Sequence, residues 1–189
     1  MFQFGLLQTA VLQRYLRNMC DFEKIKLVVL DVDGTLTDGG IYYDSNGNEI
    51  KRFDVKDGLG IKVAMEAGLK FAILTGRQSP MVRRRAEELG IQYLIEGVQK
   101  KAPALMELSE KTGISLSEMA YIGDDWNDLQ AMTLTGFKAC PSDVPEEIKN
   151  ICDYVAEKEG GRGAVREVLE NLLKARNQWS ITGNKIYFK

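Results

Sequence analysis

The strongest constraint on the fold is a rhythm of short apolar runs separated by segments with helical spacing. The runs are IKLVVLD (25–31), LKFAILT (69–75), IQYLIE (91–96), EMAYIGDD (118–125), FKAC (137–140) and DYVA (153–156). Several are apolar almost throughout, as strands covered on both faces must be. Between them lie GLGIKVAMEAG, SPMVRRRAEELG, KAPALMELSEKTG and DVPEEIKN, and several of these end at glycine, the usual helix stop. GAVREVLENLLKARN supplies a closing helix. This alternation predicts an α/β protein with a doubly wound parallel sheet of Rossmann type. One stretch breaks the rhythm. In GIYYDSNGNEIKRFDV (40–55) two strand-like runs flank Ser45-Asn46-Gly47-Asn48. Asn-Gly is the strongest short hairpin signal, so a β-hairpin protrudes just after the first strand.

The chain divides into an extension with helical potential (1–23), an α/β domain (24–176, hairpin 40–55) and a tail (177–189). The first twenty residues lack acidic groups, and no basic segment precedes their apolar part, which fits a secretory signal poorly. A dispensable extension is expected, with Met19 standing just before the domain. In the tail, Trp179, Tyr187 and Phe188 ask for burial, against this chain or a neighbouring copy.

Composition then removes whole classes of function. The 189 residues carry a net charge of −2, which offers no basic surface for nucleic acid. No apolar run reaches the roughly 18 residues of a membrane span. Three cysteines, an odd number without a CxxC, read as reduced thiols of a cytoplasmic protein. The chain has no histidine. Ser-His-Asp and Cys-His catalysis and His-ligated metals are therefore excluded. Acid–base work falls to carboxylates, lysine, tyrosine or cysteine.

In a parallel sheet, ligands gather at the carboxyl ends of the strands. Asp31 and Asp33 stand at one such end, followed by a Gly34-Thr35 turn. Asp124, Asp125 and Asp128 follow the strand ending near Ile122. Thr75 ends another strand, beside Arg77, and Lys101 opens a helix. Carboxylates crowded this way repel and raise one another's pKa values. A hard divalent cation with oxygen ligands, Mg²⁺, resolves the repulsion. Metal and lysine together make a seat for phosphate. Two aspartates one residue apart can divide labour: Asp31 attacks phosphorus, while Asp33 protonates the leaving oxygen and later deprotonates water. Asp125 and Asp128 also suit a plain capping role for the helix WNDLQAMTL. Lys101 is preferred over Lys100 because it stands at the start of the helical run.

With DVDGT (31–35), Thr75, Lys101 and GDDWND (123–128) in this order, the sequence resembles the haloacid dehalogenase superfamily of phosphatases over about 28–170. The resemblance implies Mg²⁺ held by Asp31, the backbone carbonyl of Asp33 and Asp124, with Asp125 or Asp128 in support. It implies that Thr75 hydrogen-bonds the phosphoryl group and that Lys101 offsets its charge. The gaps Asp38–Thr75 and Lys101–Gly123 leave no room for a lid domain. The hairpin after DGxxxY (Asp38–Tyr43), FDVKDGLG (53–60) and GGRGAVREV (160–168) resemble the capless 3-deoxy-D-manno-octulosonate 8-phosphate phosphatases. That group implies a homotetramer, whose hairpins and tails reach neighbouring sites, and a role in lipopolysaccharide biosynthesis. Phosphatases of nine-carbon sialic-type acid 9-phosphates are the near alternative. Both substrates are acidic sugars, so Lys56, Arg77 and Arg162 are candidates for their carboxylate. Arg83, Arg84 and Arg85 read as a solvated helix face pairing with Glu87 or Glu88. A phospho-accepting receiver domain is disfavoured because the nucleophile lies on the first strand and Asp33 hastens hydrolysis. A scaffold without turnover is disfavoured because every motif residue is present, and a sugar phosphomutase because no lid shields its intermediate.

Overall fold

A computed structural model gives the protein's structure, and it describes residues 22–187. The expected sheet is present. Its six strands are β1 (Leu27–Leu30), β4 (Lys70–Leu74), β5 (Tyr93–Ile95), β6 (Met119–Ile122), β7 (Phe137–Cys140) and β8 (Tyr154–Val155). They run parallel in the order β5-β4-β1-β6-β7-β8. Leu30 at the end of β1 pairs with Ile73 on one side and Ile122 on the other. The chain first winds outward from β1 to β4 and β5, then returns to β6 on the opposite flank. The carboxyl end of β1 is thus the topological switch point, where a doubly wound sheet opens a crevice.

β1 shows why its sequence is apolar at every position. Val28 and Leu30 join one core cluster and Leu27 and Val29 the other, and all four are fully buried. The first cluster receives α1 (Val55–Glu66), α2 (Pro80–Leu89) and α6 (Ala164–Ala175) through residues such as Ile61, Val82 and Leu169. The second receives α3 (Lys101–Thr112), α4 (Trp126–Met132) and α5 (Glu146–Lys149) through Leu105, Met132 and Ile148. Burial on both faces is what a parallel sheet requires.

The hairpin is short: β2 (Tyr42–Tyr43) pairs antiparallel with β3 (Glu49–Ile50). The Asp44 carboxylate accepts from the Asn46 and Asn48 N–H groups, both at 2.8 Å, and Gly47 takes a φ of 81°. Beyond the hairpin, Thr37 bridges Phe53, and Phe53 packs against the first core cluster. The tail folds back as α7 (Trp179–Tyr187) onto α1 and α6 of its own domain. The Arg166 guanidinium lies 4.4 Å from the Trp179 ring, and Lys185 pairs with Glu66 at 2.6 Å. The aromatic demand at Trp179 is met within this chain. Phe188 and most of the 1–23 extension lie outside the described residues.

Candidate active site

The switch point brings four strand ends together. Asp31 follows β1, and its N–H donates to the Ile122 carbonyl of β6 at 3.0 Å. This ties the first aspartate directly to the strand that leads to Gly123 and Asp124. Between them runs the 34–37 turn, where the chain must reverse sharply. Gly34 sits at φ 91°, and a Cβ there would lie 2.1 Å from Asp124 Oδ2. Glycine is therefore required both for the backbone angle and for the close approach of the second carboxylate. The Thr35 hydroxyl donates to Asp124 Oδ1 at 3.2 Å. On its outer side the turn is covered by the glycine loop before α6. A Cβ on Gly160 would lie 1.8 Å from the Gly34 carbonyl oxygen, and the Gly161 N–H donates to Thr35 O at 3.0 Å.

Lys101 opens α3 and points into this crevice, whereas Lys100 stays exposed at the helix start. The Lys101 ammonium donates to Asp31 Oδ1 at 2.5 Å and to Asp128 Oδ1 at 2.6 Å. Tyr121 OH donates to the same Asp128 oxygen at 2.6 Å. The second Asp128 oxygen accepts from the Asp124 and Asp125 N–H groups at 3.3 Å and 3.5 Å. Asp128 is thus both a cap for α4 and an anchor for Lys101. Asp125 is exposed and caps the same helix, accepting from Trp126 N at 2.7 Å.

Electrostatics follows from this packing. Burial works against the Lys101 charge, yet Asp31 and Asp128 hold its pKa above the ordinary lysine value. Burial, then repulsion from Asp128, raises the Asp31 carboxyl despite its bond to Lys101. Burial, then the charge of Asp31, raises the Asp124 carboxyl. One lysine does not balance three carboxyls, so the site favours an added cation or a retained proton. Oxygens of Asp31, Asp124 and Asp128 all lie within 4.8 Å of one another. An all-oxygen, mostly buried donor set suits a hard ion such as Mg²⁺.

Of the other expected residues, Thr75 is buried at the end of β4, and its hydroxyl accepts from the Arg77 N–H at 3.3 Å. Arg77 turns its guanidinium to Glu49 of the hairpin, at 2.8 Å. Arg162 is exposed and pairs with Glu159 at 3.2 Å. Lys56 is exposed in the first turn of α1. The structure therefore gathers Asp31, Asp124, Asp128 and Lys101 in one network and leaves Lys56, Arg77 and Arg162 outside it. Of the three helix arginines, Arg84 and Arg85 pair with Glu88, and Arg83 reaches Glu96 at 2.6 Å.

Sequence reasoning missed Tyr121 and Lys51. Tyr121 sits inside an apolar strand run and reads there as core. The Lys51 ammonium contacts Asp33 Oδ1, a pairing between hairpin and turn that no local pattern announces.

Comparison with known proteins shows which family the chain resembles. The family model of haloacid dehalogenase-like hydrolases matches residues 28–98 and 95–169. A 3-deoxy-D-manno-octulosonate 8-phosphate phosphatase of Haemophilus influenzae is 44% identical over 159 residues, covering 84% of this chain and 88% of that protein. The Escherichia coli K12 phosphatase of the same name is 42% identical over 156 residues, 82% and 83% of the two chains. The crystal structure of the Moraxella catarrhalis phosphatase, in complex with magnesium, phosphate and KDO (the octulosonate), superposes with a TM-score of 0.86. That chain is 45% identical, with 91% of this chain and 98% of that one covered. A cobalt-bound form of the Haemophilus influenzae phosphatase superposes with a TM-score of 0.81 at 44% identity, covering 85% and 94%.

Proposed function

This chain belongs to the haloacid dehalogenase-like hydrolases, and on that premise we propose that it is a Mg²⁺-dependent phosphatase of 3-deoxy-D-manno-octulosonate 8-phosphate. The observation that carries the proposal is the buried cluster of Asp31, Lys101, Asp128 and Asp124 at the sheet's switch point. Relatives of this name at 42–44% identity supply the substrate.

Asp31 is the nucleophile. Its carboxylate attacks phosphorus, forming an O–P bond as the bond to the sugar oxygen breaks. Asp33 gives its proton to that leaving oxygen. A water then attacks the aspartyl-phosphate, Asp33 takes the water's proton, and phosphate leaves with Asp31 restored. Lys101 holds Asp31 in place and offsets charge on the phosphoryl group, and the Thr75 hydroxyl contacts that group. Asp31, Asp124 and the Asp33 carbonyl would hold Mg²⁺, with Asp128 and Asp125 in support. The ion supplies Lewis-acid stabilisation of phosphoryl charge. Arg77, Lys56 and Arg162 are the cations available to the sugar carboxylate, and Arg77 reaches it once freed from Glu49.

The reading extends to assembly. Among the described residues no lid domain covers the crevice, and a phosphoenzyme benefits from excluded water. The hairpin region exposes Ile41, Tyr42, Tyr43, Ile50 and Val55, with Tyr43 63% and Val55 79% exposed. Exposed apolar side chains gathered on one segment fit a contact region. Neighbouring copies in a cytoplasmic homotetramer would bury it and roof the site.

The test is phosphate release with Mg²⁺ from 3-deoxy-D-manno-octulosonate 8-phosphate, nine-carbon acid 9-phosphates and hexose phosphates, with EDTA and Asp31→Asn as controls. Preference for the eight-carbon acid, lost in both controls, is expected. Preference for a nine-carbon acid keeps the chemistry and moves the substrate. Release from none of them would overturn the proposal.

A further inference from the structure

Lys51 lies outside the carboxylate cluster, yet its side chain is only 3% exposed. It stands one residue past β3, where the hairpin returns toward the sheet. A lysine on a protruding hairpin ordinarily extends its ammonium into water. This one turns inward. Its Nζ donates to Asp33 Oδ1 and lies 3.5 Å from Glu49 Oε1. Glu49 is fixed in turn by Arg77 at 2.8 Å and by the Ser79 hydroxyl at 3.2 Å. A buried ammonium is costly unless close opposite charges compensate it. Asp33 and Glu49 are those charges. Among the described residues, Lys51 is the side chain that bonds the Asp33 carboxylate.

We infer that Lys51 is a positioning residue for the proton transfers of Asp33, and that Glu49 seats it. The inference rests on the phosphatase reading and deepens it. Proton transfer needs the carboxylate within hydrogen-bond reach of the proton it gives or takes. An aspartate on a turn, with its side chain 29% exposed, has other rotamers open to it. Lys51 fixes one of its oxygens and leaves the other for the proton. It also ties that orientation to the hairpin, so a hairpin lifted from the domain would release the acid–base group. Arg77, through Glu49, joins the loop after β4 to the same chain of contacts.

The experiment is rapid-mixing kinetics with p-nitrophenyl phosphate and Mg²⁺, beside steady-state kinetics on the sugar phosphate, for wild type, Lys51→Met, Lys51→Arg and Glu49→Gln. p-Nitrophenolate departs without a proton, so transfer to Asp31 survives poor acid–base orientation. Hydrolysis of the aspartyl-phosphate does not, because Asp33 must take the water's proton. Lys51→Met is expected to keep a first-turnover burst of p-nitrophenolate while its steady-state rate falls at least ~10-fold, part of the ~10²–10⁴-fold that a positioned acid–base group supplies. With the sugar phosphate, kcat should fall and KM should hold. Lys51→Arg should restore most of the loss, and Glu49→Gln should show the same pattern more weakly. An unchanged steady-state rate, equal loss of burst and turnover, or no recovery in Lys51→Arg would overturn the inference. If Lys51→Met does not fold, Glu49→Gln decides alone: a burst with slowed turnover supports the inference and an unchanged rate overturns it. Wild type that releases no phosphate from either substrate would instead sink the phosphatase reading, and this inference with it.

Discussion

At the carboxyl edge of the sheet, Asp31, Lys101, Tyr121 and Asp128 form one hydrogen-bonded cluster, and none is more than 4% exposed. On the hairpin, by contrast, Tyr43, Ile50 and Val55 carry their apolar surface in the open. The first region puts charge where water is absent, and the second puts hydrocarbon where water is present. Each arrangement is unfavourable unless something completes it. The cluster is completed largely from within, by elements that the core already holds rigid, and by a cation. The hairpin has strands of two residues each, too short for independent stability. Its inner side is held by Lys51, Glu49 and Phe53. Its outer side carries the exposed apolar groups that the proposal assigns to neighbouring copies. The floor of the site thus belongs to the fold, and the hairpin beside it is tied on through Lys51 and Glu49.

The comparison breaks most visibly at Asp31, the proposed nucleophile. Asp31→Asn keeps the shape of the side chain and removes the attacking charge. Turnover should drop on the order of 10³-fold or more, as for other covalent nucleophiles, with the circular-dichroism spectrum unchanged. Next comes Lys101→Met, which leaves Asp31 and Asp128 buried without their cation. Losing one partner of a buried ion pair typically destabilises by about 3–5 kcal/mol. Denaturant unfolding without Mg²⁺ should show a loss of that order, and Mg²⁺ should recover part of it.

A third prediction concerns the join between the two regions. Asp57, in the first turn of α1, accepts from the Arg166 N–H at 2.7 Å and so caps α6 behind the glycine loop. Burial pushes its pKa up to about 6. The folded state then holds a proton that the unfolded chain has lost. Stability should fall as pH rises from about 4 to about 6, by roughly 2–3 kcal/mol in all. Asp57→Asn keeps the acceptor and removes the titration, so its unfolding free energy in saturating Mg²⁺ should lack that decline. The smallest effect belongs to the hairpin tip. Tyr43→Asp should leave the stability of the isolated subunit within about 0.5 kcal/mol. In sedimentation it should shift the protein toward smaller species. An unchanged oligomer would break the assignment of that face to neighbouring copies.

The sheet was legible because burial on both faces forces runs such as LVVL and FAIL, which nothing else in the chain imitates. The hairpin was legible through Asn46-Gly47, where a positive φ has to be accommodated. Asp31, Asp124 and Lys101 could be placed together because topology alone sends strand ends to one crevice. The roles of Tyr121, Lys51 and Glu49 were not legible. Tyr121 looks like any core aromatic until Asp128 is seen opposite its hydroxyl. Lys51 and Glu49 act on residues 18 and 28 positions away, across a turn whose geometry no periodicity encodes. The same long-range pairing hid the occupation of Arg77, which its sequence neighbours present as a free cation.

The central claim is that Asp31 carries the phosphoryl group covalently. Its most direct test is acid quench of the enzyme during turnover, borohydride reduction of the acyl phosphate, and mass spectrometry of the peptide spanning Val28–Gly40. The account predicts homoserine at position 31, dependent on both Mg²⁺ and substrate. Unmodified Asp31 under conditions of full turnover, or reduction at another carboxylate, would contradict it.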